Sequence, residues 1–446
     1  MDIRGKCVTA DWIYVDGRFQ QGVLLKCDNE GRVASIEKLS TAVNDKEIVQ
    51  LERRAILPGM VSAHSHAFHR GLRGESHIGE TAADSFWGWR NAMYSSVERM
   101  DRQRFLRCCK GAFEEMLRVG ITTVGEFHYF HHDRAEAADY AFDRVLLEAA
   151  DLAGIRIVLL ETLYQQAGIE ASKPLEPAQR RFVSNSLDEF WQNFDELERI
   201  VVTKDRQSLG VAAHSIRAVG EANLLQFRGE AKKRNLPFHM HVEEQPKEIS
   251  DCRQHFGMSP TGFILRSLAP DEKLTAVHCS FTDAGQLAEL TATGANICVC
   301  PLTEGYLGDG IPALSALSDA ARSLCLGTDC NNRVCMLEEM RWLTYGQQLK
   351  HNERGVRPLR GSRIVAELFK LATKNGAKSL GLDGQCGELA PNHWMDFFTI
   401  DLCDASIEDH TPETLLDALV FGCASEAVVA NSCVGGRLRK PPNTPA

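Results

Sequence analysis

Histidines and acids recur in this chain at the ends of apolar, strand-like segments. The first runs Ile56-Leu57-Pro58-Gly59-Met60-Val61-Ser62-Ala63-His64-Ser65-His66. Residues two apart on a strand face the same side, so His64 and His66 can grip one cation together. Pro237 to Glu244 carries His239, His241 and Glu244, Leu274 to Cys279 carries His278, and Leu326-Gly327-Thr328-Asp329 ends in an aspartate. Three neutral imidazoles and one carboxylate suit a single Zn²⁺ with a position left for water, and ligand type alone also admits Fe²⁺ or Mn²⁺. Such an ion generates hydroxide near neutral pH, which is hydrolytic chemistry. Each piece alone has a plainer explanation. A lone strand histidine is more often a hydrogen-bonded core residue, and Asp329 alone reads as a helix N-cap. Their joint occurrence outweighs these readings. His239 and His241 face the same side, so position does not choose between them.

Such a set needs a scaffold that brings strand ends together. Strand candidates in the middle of the chain end near His66, His128, Tyr164, Arg217, Glu244, His278, Glu304 and Asp329. Helical stretches separate them, among them Ala135 to Ala153, Leu187 to Val201, Glu221 to Arg234 and Met336 to Leu349. Eight strand–helix units make a (β/α)₈ TIM barrel, whose sites lie at the C-terminal strand ends, where the polar residues singled out here are expected. Both chain ends read as short strands and turns, predicting a small discontinuous β-sandwich. The expected division is 1–57 and 386–446 for the sandwich and 58–385 for the barrel. The Pro-rich tail from Lys440 is expected to be disordered.

Composition narrows the partners. The net charge of −10 comes without a long basic block, which argues against nucleic-acid binding. No apolar run is long enough for a membrane span, and Asp2, Arg4, Lys6 and Asp11 leave no room for a signal peptide. The 15 cysteines are scattered without a Cys-x-x-Cys pair, the pattern of reduced core thiols in a cytoplasmic protein.

Seven stretches carry a resemblance: LPGMVSAHSHAFHRG (57–71), DSFWGWRNAMY (84–94), EFHYFHHD (126–133), HSIRAV (214–219), HMHVEEQPKE (239–248), LTEGYLGDG (302–310) and EEMRWLTYGQQ (338–348). Over about residues 55–350 the chain resembles the amidohydrolase superfamily, in its mononuclear deaminase branch, and there the formimidoylglutamate deiminase family. The resemblance implies that His64, His66, His241 and Asp329 bind one divalent metal. It makes Glu244, His278 and Asp329 catalytic, and gives His69, Arg90, Tyr129, His214 and Arg217 to the substrate. The implied reaction is hydrolytic deimination of N-formimino-L-glutamate in histidine degradation, by a homodimer acting on a small dianionic, amino-acid-derived substrate. Arginine suits bidentate carboxylate recognition, so Arg90 and Arg217 fit two carboxylates. Strand 4, Gly210 to Ser215, lacks the lysine or carboxylate that bridges two metals in binuclear relatives. Two departures stand near the centre: His69 where the family has Gln, and Cys330-Asn331 where Ser-His follows the strand-8 aspartate. Deamination of a nucleobase, action on a related N-formimino or N-acyl amino acid, and a non-catalytic metal-stabilised binding protein are the competing readings.

Overall fold

The structure, a computed structural model, describes residues 1–39, 48–75, 85–317, 323–356, 364–424 and 428–439. The Pro-rich tail lies outside the described residues.

The two chain ends build one sheet. Strand β1 (Cys7–Val15) turns back through Asp16-Gly17, at φ 52° and 76°, into β2 (Arg18–Gln20). Positive φ at both central residues is the geometry of a tight hairpin. Then follow β3 (Val23–Cys27), β4 (Val33–Lys38) and β5 (Ile48–Pro58). Eight parallel strands come next: β6 (Met60–Ser65), β7 (Ile121–His128), β8 (Arg156–Leu163), β9 (Gln207–Ser215), β10 (Phe238–Val242), β11 (Leu274–His278), β12 (Asn296–Val299) and β13 (Leu324–Leu326). The chain finally returns to the first sheet as β14 (Phe397–Asp401), β15 (Val429–Val434) and β16 (Arg437–Arg439). That sheet runs β16-β15-β14-β5-β1-β3-β4, with β2 paired to β1. Its own core includes Ile13, Leu25, Ile56, Met395 and Phe397.

The eight parallel strands form a (β/α)₈ barrel. A parallel bridge between Ser65 and Asp329 brings the first and last strands together, beside two of the expected metal ligands. Helices cover the outside, including Leu187–Val201, whose N-cap Ser186 accepts from the Glu189 amide.

Several sequence expectations need correction. Ile56 to His66 is not one strand, because the chain changes sheets at Gly59. A Cβ there would lie 2.0 Å from Thr122 Oγ1, so only glycine passes so close. Glu304 ends no strand and sits on helix Pro301–Leu307, while β12 stops at Val299. The helix expected from Ala135 begins at Ala141, after Tyr140 in a left-handed conformation. Arg90 lies on helix Ser85–Glu98, in the connection from β6 to β7, and not near a strand end.

Among the described residues no helix is long and apolar enough to cross a membrane. The cysteines are all free, and only Cys7 and Cys403 are not buried.

Candidate active site

Asp329 and the histidines meet at the C-terminal mouth of the barrel. His64 Nε2 and His66 Nε2 each lie 3.3 Å from Asp329 Oδ1, and His241 Nε2 lies 3.2 Å from His64 Nε2. His66 Nδ1 is 2.8 Å from the Phe127 carbonyl oxygen, and His241 Nδ1 is 3.0 Å from that of His214. A carbonyl oxygen only accepts, so both Nδ1 atoms carry protons and both Nε2 lone pairs turn inward. Ligand atoms about 2.0–2.1 Å from a tetrahedral centre stand roughly 3.3 Å apart. The donor set therefore fits a divalent ion. Burial holds the His64, His66 and His241 imidazoles below their ordinary range, which keeps them neutral. Burial alone would raise Asp329, but the His64, His278 and His66 rings around it together outweigh burial and hold the carboxyl well below its usual range. His239 takes no part. Two residues earlier on β10, it sits one layer deeper and bonds the Ser379 carbonyl oxygen at 2.9 Å.

His278 approaches from the other side. Its Nε2 is 3.8 Å from both Glu244 Oε1 and Asp329 Oδ2, and its Nδ1 is 3.3 Å from Glu304 Oε1. Burial works against a charge on this ring, but Glu304, Glu244 and Asp329 outweigh it and push the imidazole up to about 10. The backbone is strained here. Glu243, His278, Cys279, Asp329 and Asn331 all adopt positive φ, between 41° and 75°. Such clustering of sparsely populated conformations at strand ends is typical of sites whose surroundings over-determine them.

One cavity opens over this centre, lined by His66, His241, Asp329 and Glu244 together with His69, Arg90, Tyr129, His214 and Arg217. Arg217 Nη2 is 3.3 Å from Glu244 Oε2, and its Nε is 3.1 Å from Glu248 Oε2 without hydrogen-bond alignment. Arg90 reaches in from its helix, its guanidinium carbon 5.4 Å from the centre of the Tyr94 ring. His69 Nε2 pairs with the Tyr129 hydroxyl at 2.9 Å, and burial pushes this imidazole down to about 3, so it stays neutral. His214 lies between Tyr129, Tyr164 and His241, with ring centres 4.8–5.0 Å away.

Sequence reasoning passed over other residues of the site. Trp89, Tyr94, Tyr164 and Gln179 complete the walls. Glu248, which burial pushes up to about 7 against the pull of Arg217, and Glu304 and Asp309 stand inside motifs that were singled out, without a role being given them. Tyr164 stands just past a strand end, which is the one local signal it carries, and Gln179 had none, since only the barrel brings it to the mouth.

Known proteins locate this arrangement. The profile of the Amidohydrolase family matches residues 55–439. The chain belongs to that family. It is 34% identical to the formimidoylglutamate deiminase of Pseudomonas aeruginosa, over 86% of this chain and 84% of that protein. It is 25% identical to a 5-methylthioadenosine/S-adenosylhomocysteine deaminase of Acetivibrio thermocellus, over 84% and 79% of the two chains. Among solved structures, an amidohydrolase from Brucella melitensis superposes with a TM-score of 0.86 at 27% identity, covering 97% of this chain and 94% of that one. An adenosine deaminase from Xanthomonas campestris with bound zinc superposes at 0.79 and 21% identity, over 98% and 92%. This amidohydrolase is a hydrolase acting on C–N bonds, of the deaminase kind.

Proposed function

We propose that this amidohydrolase hydrolyses N-formimino-L-glutamate to N-formyl-L-glutamate and ammonia. One observation carries the reading: a single cavity is lined by three of the four metal ligands, His66, His241 and Asp329, by Glu244 and by two arginines, Arg90 and Arg217. A substrate with two carboxylates and one amidine carbon needs those three elements together. The kinship with the Pseudomonas enzyme supports it.

His64, His66, His241 and Asp329 would hold the ion, with Zn²⁺ the first choice for three imidazoles and a carboxylate. When bound, it lowers the pKa of a coordinated water towards neutrality and so supplies the nucleophile. Arg217 and Arg90 hold the substrate carboxylates and set the amidine carbon over the centre. Water adds across the C=N bond, and the leaving nitrogen must gain protons before ammonia can depart. Glu244 carries them, since it stands 3.8 Å from His278 and faces the cavity. His278, held through Nδ1 by Glu304, is placed to orient and polarise the oxygen that gains charge. His69 and Tyr129 form a neutral polar pair for the substrate's linker.

The aromatic walls formed by Trp89, Tyr94, Tyr129 and Tyr164 and the adenosine-type relatives favour a second reading, deamination of a purine. Ammonia release from N-formimino-L-glutamate, with adenosine and guanine in parallel, separates the two. Turnover of the glutamate compound that falls about 10³-fold in Glu244→Gln, with metal content kept, supports the proposal. Turnover of a purine alone overturns it.

A further inference from the structure

The motif from Leu302 to Gly310 contributes two buried carboxyls, and the proposed reaction uses neither directly. Glu304 Oε1 accepts from His278 Nδ1 at 3.3 Å and from the Cys300 amide at 2.9 Å. Asp309 Oδ1 accepts from Gln245 Nε2. The Asp309 amide in turn donates to the Glu304 carbonyl oxygen at 2.8 Å, and the Leu302 amide is held by Glu339 Oε2 at 2.9 Å. These contacts close a circuit. It runs from the Glu244-Gln245 turn to Asp309, along the backbone to Glu304, on to His278, and back to Glu244 across 3.8 Å.

We propose that Glu304 and Asp309 are positioning residues that brace His278 and the Glu244-Gln245 turn from behind, and so fix the geometry of proton delivery to the leaving nitrogen. The inference rests on the deiminase reading for its assay and on the contacts for its geometry.

The turn needs outside support. Glu243 sits at φ 50°, a conformation that an ordinary residue keeps only when its neighbours enforce it. Glu248 Oε1 accepts from the Glu243 amide at 3.1 Å and Glu243 Oε1 accepts from the Thr261 amide at 2.9 Å, and Asp309 adds the hold on Gln245, placed there by Gly308 and Gly310, whose φ of 74° and 88° let the chain reverse around it. Its Oδ2 is buried and has no partner among the described residues. Burial, and then the Glu244 charge, push the Asp309 carboxyl up to about 9. It therefore stays neutral at physiological pH and accepts the Gln245 amide without adding negative charge beside Glu244. A neutral brace predicts that asparagine can replace it.

The test uses metal-replete full-length protein and two readouts: kinetics on N-formimino-L-glutamate, and hydrogen–deuterium exchange over residues 242–250. Asp309→Ala and Gln245→Ala cut the same bond from its two ends. Each is expected to lower kcat about tenfold or more with KM within about threefold, and the double variant to lose no more than the worse single. Exchange over 242–250 rises in both. Asp309→Asn, which keeps the acceptor, recovers most of the rate and the slow exchange. Glu304→Ala, which removes the acceptor, lowers kcat about tenfold through His278 and leaves exchange over 242–250 unchanged. Additive losses, no recovery in Asp309→Asn, or unchanged exchange in both alanine variants would overturn the brace. If Asp309→Ala does not fold, Gln245→Ala carries the same comparison from the half-buried end. If the parent protein does not turn over the substrate, the deiminase reading fails, and the exchange results alone decide the brace.

Discussion

Phe127, His128 and Tyr129 are neighbours on the chain, yet they serve two different histidine–aspartate clusters. The Phe127 carbonyl oxygen fixes His66, and Tyr129 faces the cavity beside His69. His128 turns the other way, to a cluster with His131 and Asp143. Both clusters are buried and both contain the residue types of a metal site. The difference lies in where their protons point. At the barrel mouth the outer nitrogens of His66 and His241 donate to backbone oxygens, so lone pairs converge. In the second cluster His128 Nε2 and His131 Nδ1 both lie 3.0 Å from Asp143 Oδ1, and Asn193 Nδ2 takes Asp143 Oδ2 at 2.8 Å. His131 Nε2 faces the Thr162 carbonyl oxygen at 2.9 Å. A ring with both nitrogens on acceptors has no lone pair to offer an ion. The remaining nitrogen of His128 lies on the far edge of its ring, away from Asp143. The second cluster is thus a hydrogen-bonded network that ties down the connections after β7 and β8, while the first turns its lone pairs to a common point where a cation fits.

The largest expected effect would break or establish that distinction. His241→Ala should reduce bound metal from about one ion per chain to near zero, and turnover by at least about 10³-fold. Asp143→Asn should leave the metal content at about one. Metal analysis of the purified proteins reads both. Two ions in the parent and one in Asp143→Asn would make the clusters equivalent after all.

A smaller effect sharpens the role of the cavity. Charge-assisted hydrogen bonds contribute about 1.5–3 kcal/mol, so Arg217→Ala should raise KM roughly tenfold to a hundredfold while kcat changes less. The loss also leaves Glu244 and Glu248 without their shared cation, which repels a dianion further. Steady-state kinetics at fixed ionic strength checks it. An unchanged KM would mean that Arg217 serves only its two glutamates.

Much of this was legible in the chain because local rules govern it. Strand period set His64 beside His66, and helical spacing set Leu187–Val201. What was not legible depends on contacts distant in sequence. Nothing local distinguishes His239 from His241, since Ser379 and His64 decide between them. The close approach that demands glycine at 59 comes from Thr122, and Glu304 reads as a strand end because an apolar run continues into its helix. Arg90 reaches the cavity from a helix, so the strand-end rule placed it wrongly. The second cluster has no local signature, because Asp143 and Asn193 reach it from two different helices.

The last effect is on stability and leaves turnover aside. Burial alone would raise the Asp143 carboxyl, but His131 and His128 outweigh it and hold it well below the usual range, while burial and the Asp143 charge push Glu161 the opposite way. A depressed carboxyl means that the unfolded chain binds the proton more readily than the folded one. The stability it brings is therefore fully present above the ordinary value of 3.8 and is lost as pH falls through and below it. Breaking a buried pair of this kind costs about 3 kcal/mol or more. Asp143→Asn should accordingly lower the denaturation midpoint at neutral pH, and the gap between variant and parent should narrow below about pH 4. Chemical denaturation at pH 7, 5 and 3.5 measures that gap, and comparing the two proteins cancels the other carboxyls. A gap that stays constant across this range would mean that the network holds its place by packing and hydrogen bonds alone, without the Asp143 charge.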